Sequence, residues 1–246
     1  MAPLDWLIAR PIAHRGLHDA SAGVIENTPS AVTAAIAAGY GIEVDLRVTA
    51  DGEAIVHHDE VLGRLTEGSG RLDAFTAAEL KRVGFRATAD RMLTLDEFCD
   101  LVAGRSTFVV ELKSRYDQDP RLPARVAEVL KKYAGPAAVM SFDPWQIAVL
   151  RARAPNLPRG IVAEGSRPGS GRSRAGVRQA LAYLRRFAAA RPQFIAYAVD
   201  DLPAAEPLLL RHGLRLPLLT WTVRTEAQRR IAQRWADQMI FEGFPA

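Results

Sequence analysis

The sequence predicts an α/β fold of the (β/α)8 barrel type, on three observations. Apolar runs with the composition of buried strands alternate with helical stretches along the chain. About eight such units fit into 246 residues, a length suited to one large core. Neither a G-x-G-x-x-G nor a P-loop is present to anchor an open doubly wound sheet, the runner-up architecture.

Each element has its own local signal. Pro11-Ile12-Ala13 is a short strand that gives way to a loop at His14-Arg15-Gly16. Thr28 followed by Pro29 marks a helix start, and the helix should run to Gly39. After the next strand, a loop from Gly63 to Arg71 leads into a helical stretch around Thr76 to Val83. Thr94 and Glu97 form the capping box of another helix. Thr107 to Val110 reads as a continuous buried strand ending in Glu111-Leu112-Lys113, with a helix around Leu122 to Lys132 behind it. Strand Ala137 to Met140 ends in Ser141-Phe142-Asp143, and Pro144-Trp145 opens a helix to about Ala152. A strand at Arg159 to Val162 precedes the stretch GSRPGSGRSRAG. A helix from Val177 to Ala190, a strand from Phe194 to Tyr197 and a helix from Ala204 to His212 follow. The last elements are a strand from Leu216 to Thr220, ending in Trp221-Thr222-Val223, a helix from Glu226 to Trp235, and Met239-Ile240-Phe241.

The most informative stretch is Gly41 to Glu60. Ile42 to Arg47 alternates apolar and charged residues as a strand does, so Glu43 and Asp45 share a face, about 7 Å apart. Asp51-Gly52 is a two-residue hairpin signal, and Ala54-Ile55-Val56 should return antiparallel as an arm above the sheet. With that turn, Ala50 pairs with Glu53, Val48 with Ile55 and Asp45 with His58. Glu43, Asp45 and His58 then converge, while His57 points away.

Composition narrows the function classes. A net charge of +4 suits an anionic small molecule but is too weak and dispersed for nucleic acid. Cys99 is the single cysteine, which excludes an intrachain disulfide and fits a reducing cytosol. The start MAPLDWLIARP lacks the basic region of a signal peptide, and no run approaches the roughly 20 apolar residues of a membrane span. The expected protein is cytoplasmic, without stable membrane anchoring or a nucleic-acid partner; the sequence sets no oligomeric state.

In a barrel, functional groups gather at the C-terminal ends of the strands. The polar residues there are His14, Arg15, Glu43, Asp45, Glu111, Lys113, Ser141, Asp143 and Trp221. Three carboxylates from two strands (Glu43, Asp45, Glu111) make an oxygen-rich site suited to Ca²⁺ or Mg²⁺ rather than zinc. Arg15 and Lys113 add positive charge beside it, and His14 and His58 can exchange protons near neutral pH. That inventory matches metal-assisted phosphodiester cleavage.

Taken in order, His14-Arg15-Gly16, Glu26-Asn27-Thr28, Glu43-x-Asp45, Thr49-x-Asp51-Gly52, His58-Asp59, Gly68-Ser69-Gly70, Glu111-Leu112-Lys113, Ser141-Phe142-Asp143 and Trp221-Thr222-Val223 resemble the motif series of glycerophosphodiester phosphodiesterases. The resemblance runs from about residue 11 to the end and implies one domain, a TIM barrel with a small insertion, about residues 61–93, after the hairpin arm. It implies one divalent cation, Ca²⁺ or Mg²⁺, held by Glu43, Asp45 and Glu111. It further implies His14 and His58 as general base and acid, in an order left open, with Arg15, Lys113 and Trp221 at the substrate. The implied reaction converts a small-molecule glycerophosphodiester to glycerol 3-phosphate and an alcohol.

Three departures from the pattern stand out. Glu60 to Leu65 replaces a more polar D-T-L-D-R-T run, Arg224 stands where asparagine is usual, and Glu242-Gly243-Phe244-Pro245 replaces a typical D-Y-P. None is expected to touch the metal or the histidines. Glu26 has two readings, a group at the reacting centre or a cap of the helix entry, and Trp221 has two, substrate contact or barrel packing. Asp143 reads as a helix start. The arginine-rich loop Arg167 to Arg178 reads as a solvated insertion, with a basic flap over the mouth as the sharper reading. A lysophospholipase D or phospholipase C-like activity is the enzymatic alternative, and a phosphate-ester binding module the non-enzymatic one.

Overall fold

In the computed structural model, which describes residues 4–165 and 187–246, eight parallel strands close into a barrel with helices between them. The strands are β1 (Ile12–Ala13), β2 (Gly41–Val48), β4 (Phe108–Leu112), β5 (Ala137–Ser141), β6 (Arg159–Ala163), β7 (Phe194–Ala198), β8 (Leu218–Val223) and β9 (Gln238–Phe241). β1 closes the ring, pairing with β2 on one side and β9 on the other. β3 (Ala54–Val56) lies outside the ring, antiparallel to the upper half of β2, as the predicted arm. The predicted TIM barrel is therefore the observed fold.

The helices sit where their caps place them. Helix α1 (Asp5–Ile8), unanticipated, buries Leu7 against the apolar interior of the barrel. Thr28 caps α2 (Pro29–Ala37), and complete capping boxes open α3 (Ala77–Leu80) and α4 (Leu95–Val102). Each such cap contributes about 1 kcal/mol. Helices α5 (Arg121–Leu130), α6 (Pro144–Arg153), α7 (Ala205–Gly213) and α8 (Glu226–Trp235) match their predicted spans to within a residue or two. Asp143 accepts from the Trp145 N–H at the start of α6, as a helix-start residue should. Of the helix expected over Val177 to Ala190, only residues 187–190 are described, and they are helical. The arginine-rich loop Arg167 to Arg178 lies outside the described residues.

Two apolar layers follow from the period of two along each strand. Val44, Leu46, Val110, Leu112 and Val139 face outward into the helices. Val109, Ala138, Met140, Val162, Ala196, Leu219 and Ile240 belong to the second cluster, inside the barrel. Glu43 is in register with Val109, and Asp45 with Glu111, so the same inward row turns from apolar to acidic toward the C-terminal end. Above the barrel, Ile25, Ile55, Leu62, Leu72, Leu80, Phe85 and Met92 form a separate small core against the arm.

The hairpin register differs from expectation by one residue. Val48 pairs with Ala54, Arg47 with Ile55 and Leu46 with Val56, so the turn holds three residues, Ala50-Asp51-Gly52. Thr49 explains the shift. Its N–H donates to the Glu53 carbonyl, its hydroxyl oxygen accepts from the Glu53 N–H at 2.9 Å, and its hydroxyl donates to Asp51 at 2.5 Å. Gly52 takes the left-handed conformation that closes such a loop, with φ 81°.

Candidate active site

The loop after β1 supplies the first groups. Arg15 has φ 55° and Gly16 φ 80°, and a Cβ on Gly16 would lie 2.8 Å from Ala31, so this tight reversal demands glycine. The reversal turns the Arg15 N–H onto Glu43 Oε2 at 3.0 Å and brings its guanidinium Nε to within 3.2 Å of Asp45. His14, in the same turn, has Nε2 3.9 Å from Glu43 Oε2.

Glu43, Asp45 and Glu111 are all buried, and one oxygen from each lies within 4.8 Å of the others. Burial and the two neighbouring carboxylates push Glu43 well above the usual carboxylate range. Burial and Asp45 likewise raise Glu111, against Lys113. Burial would raise Asp45 too, but Lys113, Arg15, His58 and His14 outweigh it and hold it below its ordinary value. Lys113 bridges Asp45 at 2.9 Å and Glu111 at 2.7 Å. Glu43 Oε1 is buried with no hydrogen-bond donor among the described residues. Three hard oxygen donors and one buried acceptor without a donor fit a divalent cation.

His58 reaches this cluster by a route other than the predicted one. In the observed register His57, not His58, stands opposite Asp45, its N–H donating to the Asp45 carbonyl at 3.0 Å. Regular pairing ends at Val56, however. His57 is buried beside Phe85, with ring centroids 6.4 Å apart, while Arg47 Nε holds the His58 carbonyl at 2.9 Å. His58 is left partly exposed and near enough to Asp45 to act on its charge. Burial lowers the pKa of both His14 and His58 below the ordinary imidazole value.

Other expectations are corrected. Glu26 does not cap α2; it binds Arg15 at 2.7 Å and Arg64 at 2.6 Å. Asn27, for which the motif pattern suggests no separate role, is buried with φ 58°, donates to Asp45 Oδ2 at 2.9 Å and accepts from the Asp45 N–H at 3.1 Å. Its place between Glu26 and the helix cap was the available signal. Trp221 lies near the C-terminal end of β8, as expected, and packs edge-on against Phe142 at 5.4 Å. One of the three departures does touch a histidine, Glu242, whose Oε2 lies 2.5 Å from His14 Nδ1; a second, Arg224, touches Glu242, its Nε 2.5 Å from Oε1.

Comparisons with known proteins bear on the family and the fold. The model of the glycerophosphoryl diester phosphodiesterase family matches residues 14–245. A glycerophosphodiester phosphodiesterase of Caldanaerobacter subterraneus subsp. tengcongensis is 32% identical over 161 residues, 61% of this chain and 65% of that relative, just under two thirds of its length. A Bacillus subtilis glycerophosphodiester phosphodiesterase is 27% identical over 95% of this chain and 83% of its own. The crystal structure of a glycerophosphoryl diester phosphodiesterase from Silicibacter pomeroyi superposes with a TM-score of 0.77 at 26% identity, covering 96% of this chain and 90% of that one. An Oleispira antarctica phosphodiesterase, solved with its product sn-glycerol-3-phosphate, shares the fold at a TM-score of 0.77 and 21% identity over 95% of this chain and 92% of its own. With the family model spanning nearly its whole length, the chain belongs to the glycerophosphoryl diester phosphodiesterase family.

Proposed function

We propose that this protein hydrolyses glycerophosphodiesters to sn-glycerol 3-phosphate and an alcohol, in a divalent-cation-dependent reaction with a histidine pair as base and acid. The observation that carries this reading is the meeting of His14, Arg15, Glu43, Asp45, His58, Glu111 and Lys113 at one end of the barrel. Glu43, Asp45 and Glu111 would hold the ion, Ca²⁺ or Mg²⁺, which when bound supplies Lewis-acid charge to the phosphoryl oxygens.

The chain's own groups do the rest. Arg15 and Lys113 attract and orient the phosphate. One neutral histidine takes the proton of the glycerol 2-hydroxyl as its oxygen attacks phosphorus. The other, entering protonated, gives its proton to the departing alcohol oxygen. Water then opens the cyclic phosphate with the roles reversed. Binding alone would not require two proton-transfer groups beside a carboxylate cluster. Trp221, against Phe142, is the proposed wall for the substrate.

The domain reading is one barrel over the whole chain with residues 61–93 inserted over the arm. Among the described residues no helix is long and apolar enough to cross a membrane. Cys99 is buried, its thiol pushed up to about 12 by burial, so no oxidising compartment is needed and we place the protein in the cytoplasm.

Glycerophosphocholine, glycerophosphoethanolamine, glycerophosphoinositol and a lysophospholipid, each assayed with and without chelator, test the reading. Release of glycerol 3-phosphate that stops with chelator and returns with Ca²⁺ or Mg²⁺ is the expected result. Turnover of the lysophospholipid alone, or no metal-dependent turnover at all, would overturn it.

A further inference from the structure

Each of the two site histidines is the first link of a chain of the same construction. His58 Nδ1 lies 2.9 Å from Asp59 Oδ1, while Arg64 Nε holds the other oxygen of that carboxylate, Oδ2, at 2.5 Å. His14 Nδ1 lies 2.5 Å from Glu242 Oε2, while Arg224 Nε holds Oε1 at 2.5 Å. In both chains a half-exposed arginine holds the carboxylate that faces the imidazole; Arg224 takes the far oxygen of Glu242, whereas Arg64 grips both oxygens of Asp59, its Nη2 lying 3.1 Å from Oδ1. The residues come from unrelated segments: the arm and the stretch after it supply one set, the barrel strands the other.

The His14 chain follows directly from strand register. Ala13 is paired with Phe241, and Phe241 with Val223, across β1, β9 and β8. His14, Glu242 and Arg224 are thus the next residues on three adjacent strands, stepping along the rim at the seam where the barrel closes. Backbone bonds fix the row: the His14 N–H donates to the Phe241 carbonyl at 2.9 Å and the Glu242 N–H to the Val223 carbonyl at 3.0 Å. Arg224 is anchored by its own N–H, which donates to Gln228 Oε1 of α8 at 2.8 Å. His18 Nε2 lies 3.5 Å from the Glu242 oxygen that faces His14.

We infer that Glu242 is the positioning residue of His14, and that Arg224 fixes Glu242, so that a carboxylate–arginine pair particular to the closing seam sets the His14 ring for proton transfer. An ionised carboxylate only accepts, so Nδ1 of His14 carries the proton and donates to Glu242. That leaves Nε2, the nitrogen on the Glu43 side, with its lone pair free for a substrate hydroxyl. Arg224 prevents Glu242 from rotating toward solvent. The two departures at positions 224 and 242 thus form one physical unit. The inference rests on the proposed proton-transfer role of His14.

The test uses the full-length protein with Glu242→Gln, Glu242→Asp, Arg224→Ala and His14→Ala variants, and ¹⁵N-histidine NMR of the wild type. Glu242→Gln should lower kcat by about 100-fold while leaving KM within about threefold. Glu242→Asp should recover at least about tenfold of that loss, and Arg224→Ala should cost about fivefold. In the wild-type spectrum, the neutral His14 ring, identified by the signals missing from His14→Ala, should be the Nδ1–H tautomer. An Nε2–H tautomer would overturn the inference even if the Glu242 variants fail to fold. So would a wild-type kcat in Glu242→Gln alongside an inactive His14→Ala, with the proton-transfer reading left standing. A fully active His14→Ala would instead bring down that reading, and this inference with it.

Discussion

His14 and His58 face the same carboxylates from two differently built parts of the molecule. His14 sits on the closing seam of the barrel, where β1, β9 and the end of β8, past its register shift, fix its backbone and that of its partner Glu242. His58 sits past the end of a three-residue strand outside the ring, and its position depends on Arg47, Asp59 and the small core beneath residues 61–93. A closed ladder fixes one histidine; an arm and a satellite core fix the other. The first should tolerate damage to the insertion, and the second should not.

Removing either histidine is the largest expected effect. His14→Ala and His58→Ala should each lower kcat/KM by about 1,000-fold on glycerophosphocholine. With a nitrophenyl leaving group, which needs no proton, one variant should recover most of its rate, and that identifies the acid in the first step. Equal behaviour of the two variants on both substrates would contradict a division of labour.

The next contrast is between cores. Leu46→Ala in the barrel layer and Leu72→Ala in the satellite core each remove a fully buried leucine, at about 3 kcal/mol locally. Leu46→Ala should lower the melting temperature of the whole barrel. Leu72→Ala should instead leave the main melting transition nearly in place while reducing kcat and raising hydrogen exchange around His58. A global loss of stability from Leu72→Ala would make arm and barrel one cooperative unit.

A smaller effect concerns His57, whose burial lowers its pKa to about 4 from the ordinary 6.5. The unfolded chain binds the proton more readily, so stability is full above pH 6.5 and is lost as pH falls toward 4. Between pH 8 and pH 5 the loss from this group should be about 2 kcal/mol, and His57→Gln should flatten that part of the curve in denaturant titrations. An unchanged slope in the variant would remove His57 as its source.

The two arginines should differ least. Arg64 holds Glu26 as well as Asp59, whereas Glu242 is the only carboxylate paired with Arg224 among the described residues. Arg64→Ala should therefore cost about tenfold in kcat against about fivefold for Arg224→Ala. The reverse order would show that the seam, not the arm, depends more on its outer partner.

The same division governs what could be read from the sequence. Alternating strands and helices, caps at Thr28 and Thr94, and acids spaced by two gave the barrel and the carboxylate cluster, because these signals are local and periodic. The hairpin register differs by one from the pattern because the Thr49 side chain competes with the Asp51-Gly52 turn, a choice that pattern alone does not weigh. The pattern brings His58 toward the carboxylates through a pairing that does not exist. Its true cause is the end of the ladder at Val56. The Glu242 contact lay beyond any local signal, since 228 positions separate it from His14 and only ring closure brings them together.

The most direct measurement is anomalous scattering from crystals soaked with Mn²⁺, a stand-in for the native ion, and glycerol 3-phosphate. One peak bounded by Glu43, Asp45 and Glu111, with phosphate between Arg15 and the two histidines, is the expected result. A metal bound elsewhere, or phosphate away from His14 and His58, would contradict the assignment of this end of the barrel as the reacting centre.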